Sequence, residues 1–97
     1  MKPIYDWEKD KEAINLEKHG FSFNEASTAF DDPNALVEEN CYEVYGEKRS
    51  ILVGLSLEKR LLFVVYEQNE EGTWIKISSA REAIGSKKKA YWDQFKF

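Results

Sequence analysis

Five polar side chains in this 97-residue chain have the types that acid–base chemistry at an anion requires: His19, Glu47, Arg49, Lys76 and Arg81. Histidine is the side chain whose unperturbed pKa suits both taking and giving a proton near neutrality. His19 is the single histidine of the chain and lies in "EKHGFSF", in a short gap between two helix-like patterns. Glu47 offers a second base if it is partly buried, and Arg49, Lys76 and Arg81 are cations that can face an anion. Each also has a plain structural reading. His19 can simply end a helix, where the dipole favours a cation. Glu47 can be a turn charge or the ion-pair partner of Arg49, and Lys76 can be a solvated strand residue. Arg81 reads as the start of a helix, where the dipole disfavours a cation, so an anionic partner there is expected.

Composition limits the alternatives. A chain of this length forms one domain with a single modest core. Its 42% apolar and 33% charged residues are ordinary for a globular chain, and 14% aromatic residues help a small core bury area. Cys41 is alone, which excludes an intrachain disulfide, and it reads as an inert, partly buried thiol. One histidine and one cysteine argue against structural zinc. No apolar run approaches the roughly 20 residues of a membrane span and no signal-peptide pattern opens the sequence, so a cytoplasmic protein without membrane contact is expected. The net charge of −4 argues against direct nucleic-acid binding by the chain as a whole. Its distribution is uneven: −8 over residues 1–47, +1 over 48–80 and +3 over 81–97.

The elements that must position these residues follow from patterning. Ile4 and Tyr5 read as a short strand, with Asp6 as a helix cap. A charged helix over 8–19 carries Ala13, Ile14 and Leu16 on one face, with Trp7 ahead of them, and Gly20 is placed for a left-handed stop. Ser22 with Glu25 has capping-box spacing, opening a second helix to Phe30 with Phe23, Ala26 and Phe30 inward. Asp31-Asp32-Pro33-Asn34 is a stop and turn. Two short strands, 35–39 and 42–45, precede a turn at Gly46. Strands over 50–57, 61–68 and 74–79 are separated by tight polar turns and form an antiparallel meander. Alternation in the last of these puts Trp74, Lys76 and Ser78 on one face and Ile75, Ile77 and Ser79 on the other. A helix over 80–95 closes the chain, with Ala83, Ile84, Tyr91 and Phe95 as core contacts and Gly85 as a local weakness. The expected class is α+β: two N-terminal helices, an antiparallel sheet and a C-terminal helix. No phosphate loop, paired-cysteine motif or serine elbow is present.

Several stretches together carry a family resemblance. "WEKDKEAINLEKHGFSFNEASTAFDDP", "GEKR", the strand around Gly54, "LLFVVYE", "ISSAREA" and Tyr91 resemble, in order, the BrnT family of type II toxins. The most specific pieces are Asn15 with Lys18-His19-Gly20, Phe23, Ala26, Asp32-Pro33, Gly46-Glu47 with Arg49, and Ser79-Ala80-Arg81. The resemblance implies a single RelE-like toxin domain over 1–97. It also implies ribonuclease activity that halts translation, and a BrnA-type antitoxin with a ribbon-helix-helix part that gives the complex its operator binding. On this reading His19, Glu47, Arg49 and Arg81 are catalytic, Lys18 and Lys76 bind the RNA substrate, and no metal or cofactor is used. Members often carry an arginine after the "VVY" strand and another entering the "ISAR" strand. This chain has Glu67-Gln68-Asn69 and Ile75-Lys76-Ile77 there, and a lysine lacks the two-pronged grip of a guanidinium. A toxin fold with weakened catalysis, serving as an antitoxin-binding, operon-regulating module, is the alternative.

Overall fold

Apolar alternation in the second half of the chain builds a five-stranded sheet, and the structure, a computed structural model, describes it within residues 2–96. The elements run β1 (Ile4–Asp6), α1 (Lys9–His19), α2 (Phe23–Thr28) continuing into a 3₁₀ turn (Ala29–Asp31), β2 (Leu36–Val44), β3 (Glu47–Leu55), β4 (Leu61–Gln68), β5 (Trp74–Glu82) and α3 (Gly85–Asp93). The sheet order is β1-β5-β4-β3-β2. The meander β3-β4-β5 is antiparallel as expected, and β2 extends it, whereas β1 lies parallel to β5. The sheet is therefore mixed and the class remains α+β.

One face of the sheet is covered by the N-terminal helical segment. Phe23, Ala26 and Ala29 pack with Leu52, Leu62, Val64, Tyr66, Ile75, Ile77 and Ala80 into the main core. Burial pushes the Tyr66 hydroxyl up to about 12, with help from the Glu39 charge. Gly54 has no room for a side chain, because an added Cβ would meet the Ala29 carbonyl oxygen at 3.0 Å. Ser22 caps α2 by accepting from the Glu25 amide at 3.0 Å, but the Glu25 carboxylate leaves the helix end to accept from Ser56 and Arg60. Those bonds, the Arg60 one first, hold Glu25 below its ordinary range although it is buried.

Helix α1 departs most from its sequence pattern. Its one buried residue is Asn15, while Ala13, Ile14 and Leu16 are exposed. The reason lies at the sheet edge. β1 pairs only with Trp74–Lys76, so β5 beyond that point has an open edge. Asn15 covers it: its amide donates to the Ala80 and Phe21 carbonyls at 2.8 and 2.9 Å, and its side-chain oxygen accepts from the Ala80 amide at 3.0 Å. A polar anchor replaces the apolar stripe. Glu8, rather than Asp6, occupies the N-cap position, and Gly20 ends α1 at φ 78° as expected.

The chain's end also differs from its pattern. Residues 80–82 continue β5 and α3 begins only at Gly85, because Leu62, Phe63 and Val64 of β4 pair with Glu82, Arg81 and Ala80. Ala83 and Tyr91 are buried, as expected, but Ile84 and Phe95 are exposed. The two strands expected over 35–39 and 42–45 are the single strand β2 (Leu36–Val44), with an irregularity between Glu38 and Tyr42, where Asn40 takes φ 50°. Cys41, expected partly buried, is exposed there. Helix α3 covers one end of the second sheet face, packing its Tyr91, together with Ala83 from the link before it, on Val53. Tyr91 donates to Asp32 at 2.5 Å, and Asp32 also accepts from the Leu55 amide at 2.9 Å.

Candidate active site

The second sheet face, where α3 leaves it uncovered, gathers most of the residues that could do chemistry, and a local irregularity in β5 is what gathers them. Val65 pairs with Ser79 but Tyr66 pairs with Ile77, so Ser78 is an extra residue on β5. Such a bulge re-aims the side chains beyond it. Lys76 and Arg81 are five apart and would point to opposite faces of a regular strand. With the bulge they share one face, and Ser79 joins them there, opposite to its expected place with Ile75 and Ile77. The dipole rationale for Arg81 falls with the helix start: it is a strand residue, its guanidinium carbon 4.3 Å from the centre of the Phe63 ring.

Arg49 sits at the centre of the cluster. Its side chain is 8% exposed, and its Nη1 lies 3.0 Å from Glu67 and 3.9 Å from Glu47. Proximity does not make a hydrogen bond here, because Nη1 is buried without an aligned partner. An unspent buried donor costs about 1–3 kcal/mol, so it is an arrangement to be explained. Burial lifts the Glu67 carboxyl above the usual carboxylate range. A hydrogen bond shared with Glu47 adds to this, while Arg49 and Lys76 pull the other way. Lys76 pairs with Glu8 at 3.2 Å, which raises its own affinity for the proton.

Tyr42 closes the cluster from β2, where it pairs with Arg49. Burial pushes its hydroxyl up, and the positive charges of Arg49 and Arg81 oppose that shift. One tyrosine thus feels both guanidinium groups. The face offers two arginines, a paired set of carboxyls and a phenol, on rigid strands. That equipment can neutralise a phosphate and move protons beside it.

His19 is elsewhere. With Lys18, Lys11, Ile14 and Asn15 it lines a cavity of about 250 Å³ whose far wall is Ser78 and Ser79. Among the described residues no hydrogen bond or ion pair joins His19 to Glu47, Arg49 or Arg81. The two places meet only at the β5 edge, through Ser79. Glu67 and Tyr42 were the residues that sequence reading missed. Glu67 was legible only as the loss of an arginine, and nothing in spacing placed Tyr42 beside Arg49 across a strand pair.

A family model described as the ribonuclease toxin BrnT of type II toxin–antitoxin systems matches residues 7–86. The chain belongs to the BrnT family. The match spans every residue of the cluster and the His19 cavity. The BrnT ribonuclease toxin of Brucella abortus, known from a crystal structure, shares the fold at a TM-score of 0.61 over 88% of this chain and all of that one, with 18% identity. No curated protein matches the sequence. Membership in the BrnT family places the chain among ribonuclease toxins that act with an antitoxin. No helix in the described residues is long and apolar enough to cross a membrane.

Proposed function

We propose that this chain is an endoribonuclease toxin that cleaves RNA on the open half of its sheet face, by metal-independent acid–base chemistry, and so halts translation. The observation that carries the reading is the buried Arg49 with its unspent Nη1, set beside Glu47 and Glu67 on the face that the Ser78 bulge gives to Arg81. Arg49 and Arg81 stabilise charge on a phosphate as the 2′ oxygen attacks it. His19, reached around the β5 edge at Ser79, takes the 2′ proton; Glu47, already on the face, is the alternative base. Lys18 and Lys76 hold flanking phosphates. A cytoplasmic BrnA-type ribbon-helix-helix antitoxin neutralises the toxin and supplies all operator-DNA contact.

A second reading, a catalytically weakened module kept for antitoxin binding and operon regulation, draws on one observation. Arg49 and Lys76 already stand against carboxylates of their own chain. Controlled expression separates the two. Growth arrest with RNA cleavage is expected from the first reading, and normal growth with an intact antitoxin complex from the second.

A further inference from the structure

Glu67 is, with Tyr42, a member of the cluster that sequence reading did not use, and its surroundings are unusual for a carboxylate. It projects from β4 onto the open face with its side chain 19% exposed, so it is sheltered yet reachable. Its Oε1 is 3.0 Å from Arg49 Nη1, but that nitrogen makes no aligned hydrogen bond. A carboxylate and a guanidinium this close ordinarily align into a charge-assisted bond. The unfinished pair fits a carboxyl that keeps its proton and turns it toward another group.

We propose that Glu67 is the general acid of the site, giving its proton to the oxygen that leaves phosphorus. This assignment rests on the RNA-cleavage reading. In the step, the 2′ oxygen forms a bond to phosphorus as its proton passes to the base. The P–O5′ bond breaks with its electron pair on O5′, and O5′ takes the Glu67 proton. The products are a 2′,3′-cyclic phosphate and a 5′-hydroxyl, and Glu67 is left as a carboxylate. Two facing cations favour that state, while the Glu47 charge opposes it and favours the protonated acid before reaction. Arg49 from β3 lies in ion-pair reach, Lys76 of β5 pairs across the strand, and Arg81 is farther along the same face. Glu47 from β3 faces Glu67 beside Arg49, and Tyr42 of β2 lies on the far side of Arg49, its strand partner. Burial and the hydrogen bond with Glu47, which lift Glu67 above the ordinary carboxylate range, keep the proton in place before reaction.

The test compares two substrates with the full chain and its Glu67→Gln variant. One is an RNA with ordinary linkages. The other carries sulfur in place of the 5′ oxygen at the cleaved linkage, so that the leaving thiolate needs no proton. On ordinary RNA, Glu67→Gln is expected to lose roughly 10²-fold or more in rate, and to lose the decline at rising pH that the wild type shows. On the sulfur linkage the variant should approach the wild-type rate. Glu67→Asp, a shorter acid, should keep part of the rate and the pH dependence. An equal deficit on both substrates overturns the assignment, because the residue then only supports structure or binding. So does full activity of Glu67→Gln on ordinary RNA. A wild-type chain that cuts neither substrate overturns the cleavage reading itself, and this assignment with it.

Discussion

At the scale of single residues, proton transfer and charge stabilisation make separable demands. If His19 is the base, His19→Gln should reduce cleavage by roughly 10²-fold or more. Stability should change little, since a cation at an exposed helix end is worth about 0.3–1 kcal/mol. Cleavage and thermal melting measured on the same protein distinguish this from a helix ending, which predicts a small melting shift with activity intact. In the latter case the base is Glu47. Arg81→Ala should lose cleavage comparably while Arg81→Lys restores only part of it, because a point charge replaces a fork that also stacks on Phe63. His19, Glu47, Arg49 and Arg81 were all legible in the sequence by type and by family resemblance. What they do together was not. Arg49 finds Glu67 only across a strand pair, and a glutamate where an arginine was expected reads in sequence as a deficit.

At the scale of elements, the strongest local departures from pattern hold the site in place. Asn15 bonds both backbone groups of Ala80, which follows directly on Ser78 and Ser79 and precedes Arg81. Asn15→Ala should leave buried backbone groups unpaired at about 1–3 kcal/mol each. A fall in melting temperature of roughly 10 °C or more follows for a chain of this size. An unchanged melting curve for Asn15→Ala would show that α1 does not depend on this anchor. Asp32 ties α3 to β3 in the same manner. Burial alone would raise its carboxyl, yet hydrogen bonds from Leu55, Tyr91 and Asn34, with the Lys59 charge, hold it below the ordinary range. Because the folded value lies below the unfolded one, Asp32 adds stability above the unfolded pKa. That contribution is lost as the pH falls through the folded value. Tyr91→Phe should therefore cost stability at neutral pH and flatten the acid limb of a stability–pH curve, which denaturant melts across pH 2–7 can read. Strands β3, β4 and β5 were legible from their apolar runs, and helix α2 from the capping spacing of Ser22 and Glu25. The boundary between β5 and α3 was not, since "AREAIGSKKKAY" has helix-forming residues throughout and tertiary pairing with β4 overrides that preference. The Ser78 bulge has no sequence signature, yet it decides which face Arg81 serves.

At the scale of the molecule, two asymmetries meet. Helix α2 covers one sheet face, α1 lies at the β5 edge through Asn15, and α3 covers only one end of the other face, so the open region is a consequence of topology. The charge runs from −8 over residues 1–47 to +3 over 81–97, a pattern visible in the sequence. An acidic surface steers a basic partner segment by complementary potential, which suits the proposed antitoxin. The chain alone should bind operator DNA weakly or not at all, and its antitoxin complex should bind tightly, as gel-shift titration over a salt series can establish. Tight, salt-sensitive operator binding by the chain alone would contradict this division of labour. The central claim is that the open sheet face cleaves RNA. It is tested most directly by expressing the wild type and folded Arg49→Lys and Arg81→Ala variants under tight control, following growth and total RNA together. The account predicts growth arrest with RNA cleavage for the wild type, loss of both in Arg81→Ala, and strong attenuation in Arg49→Lys. Wild-type arrest that persists unchanged in both variants would contradict it.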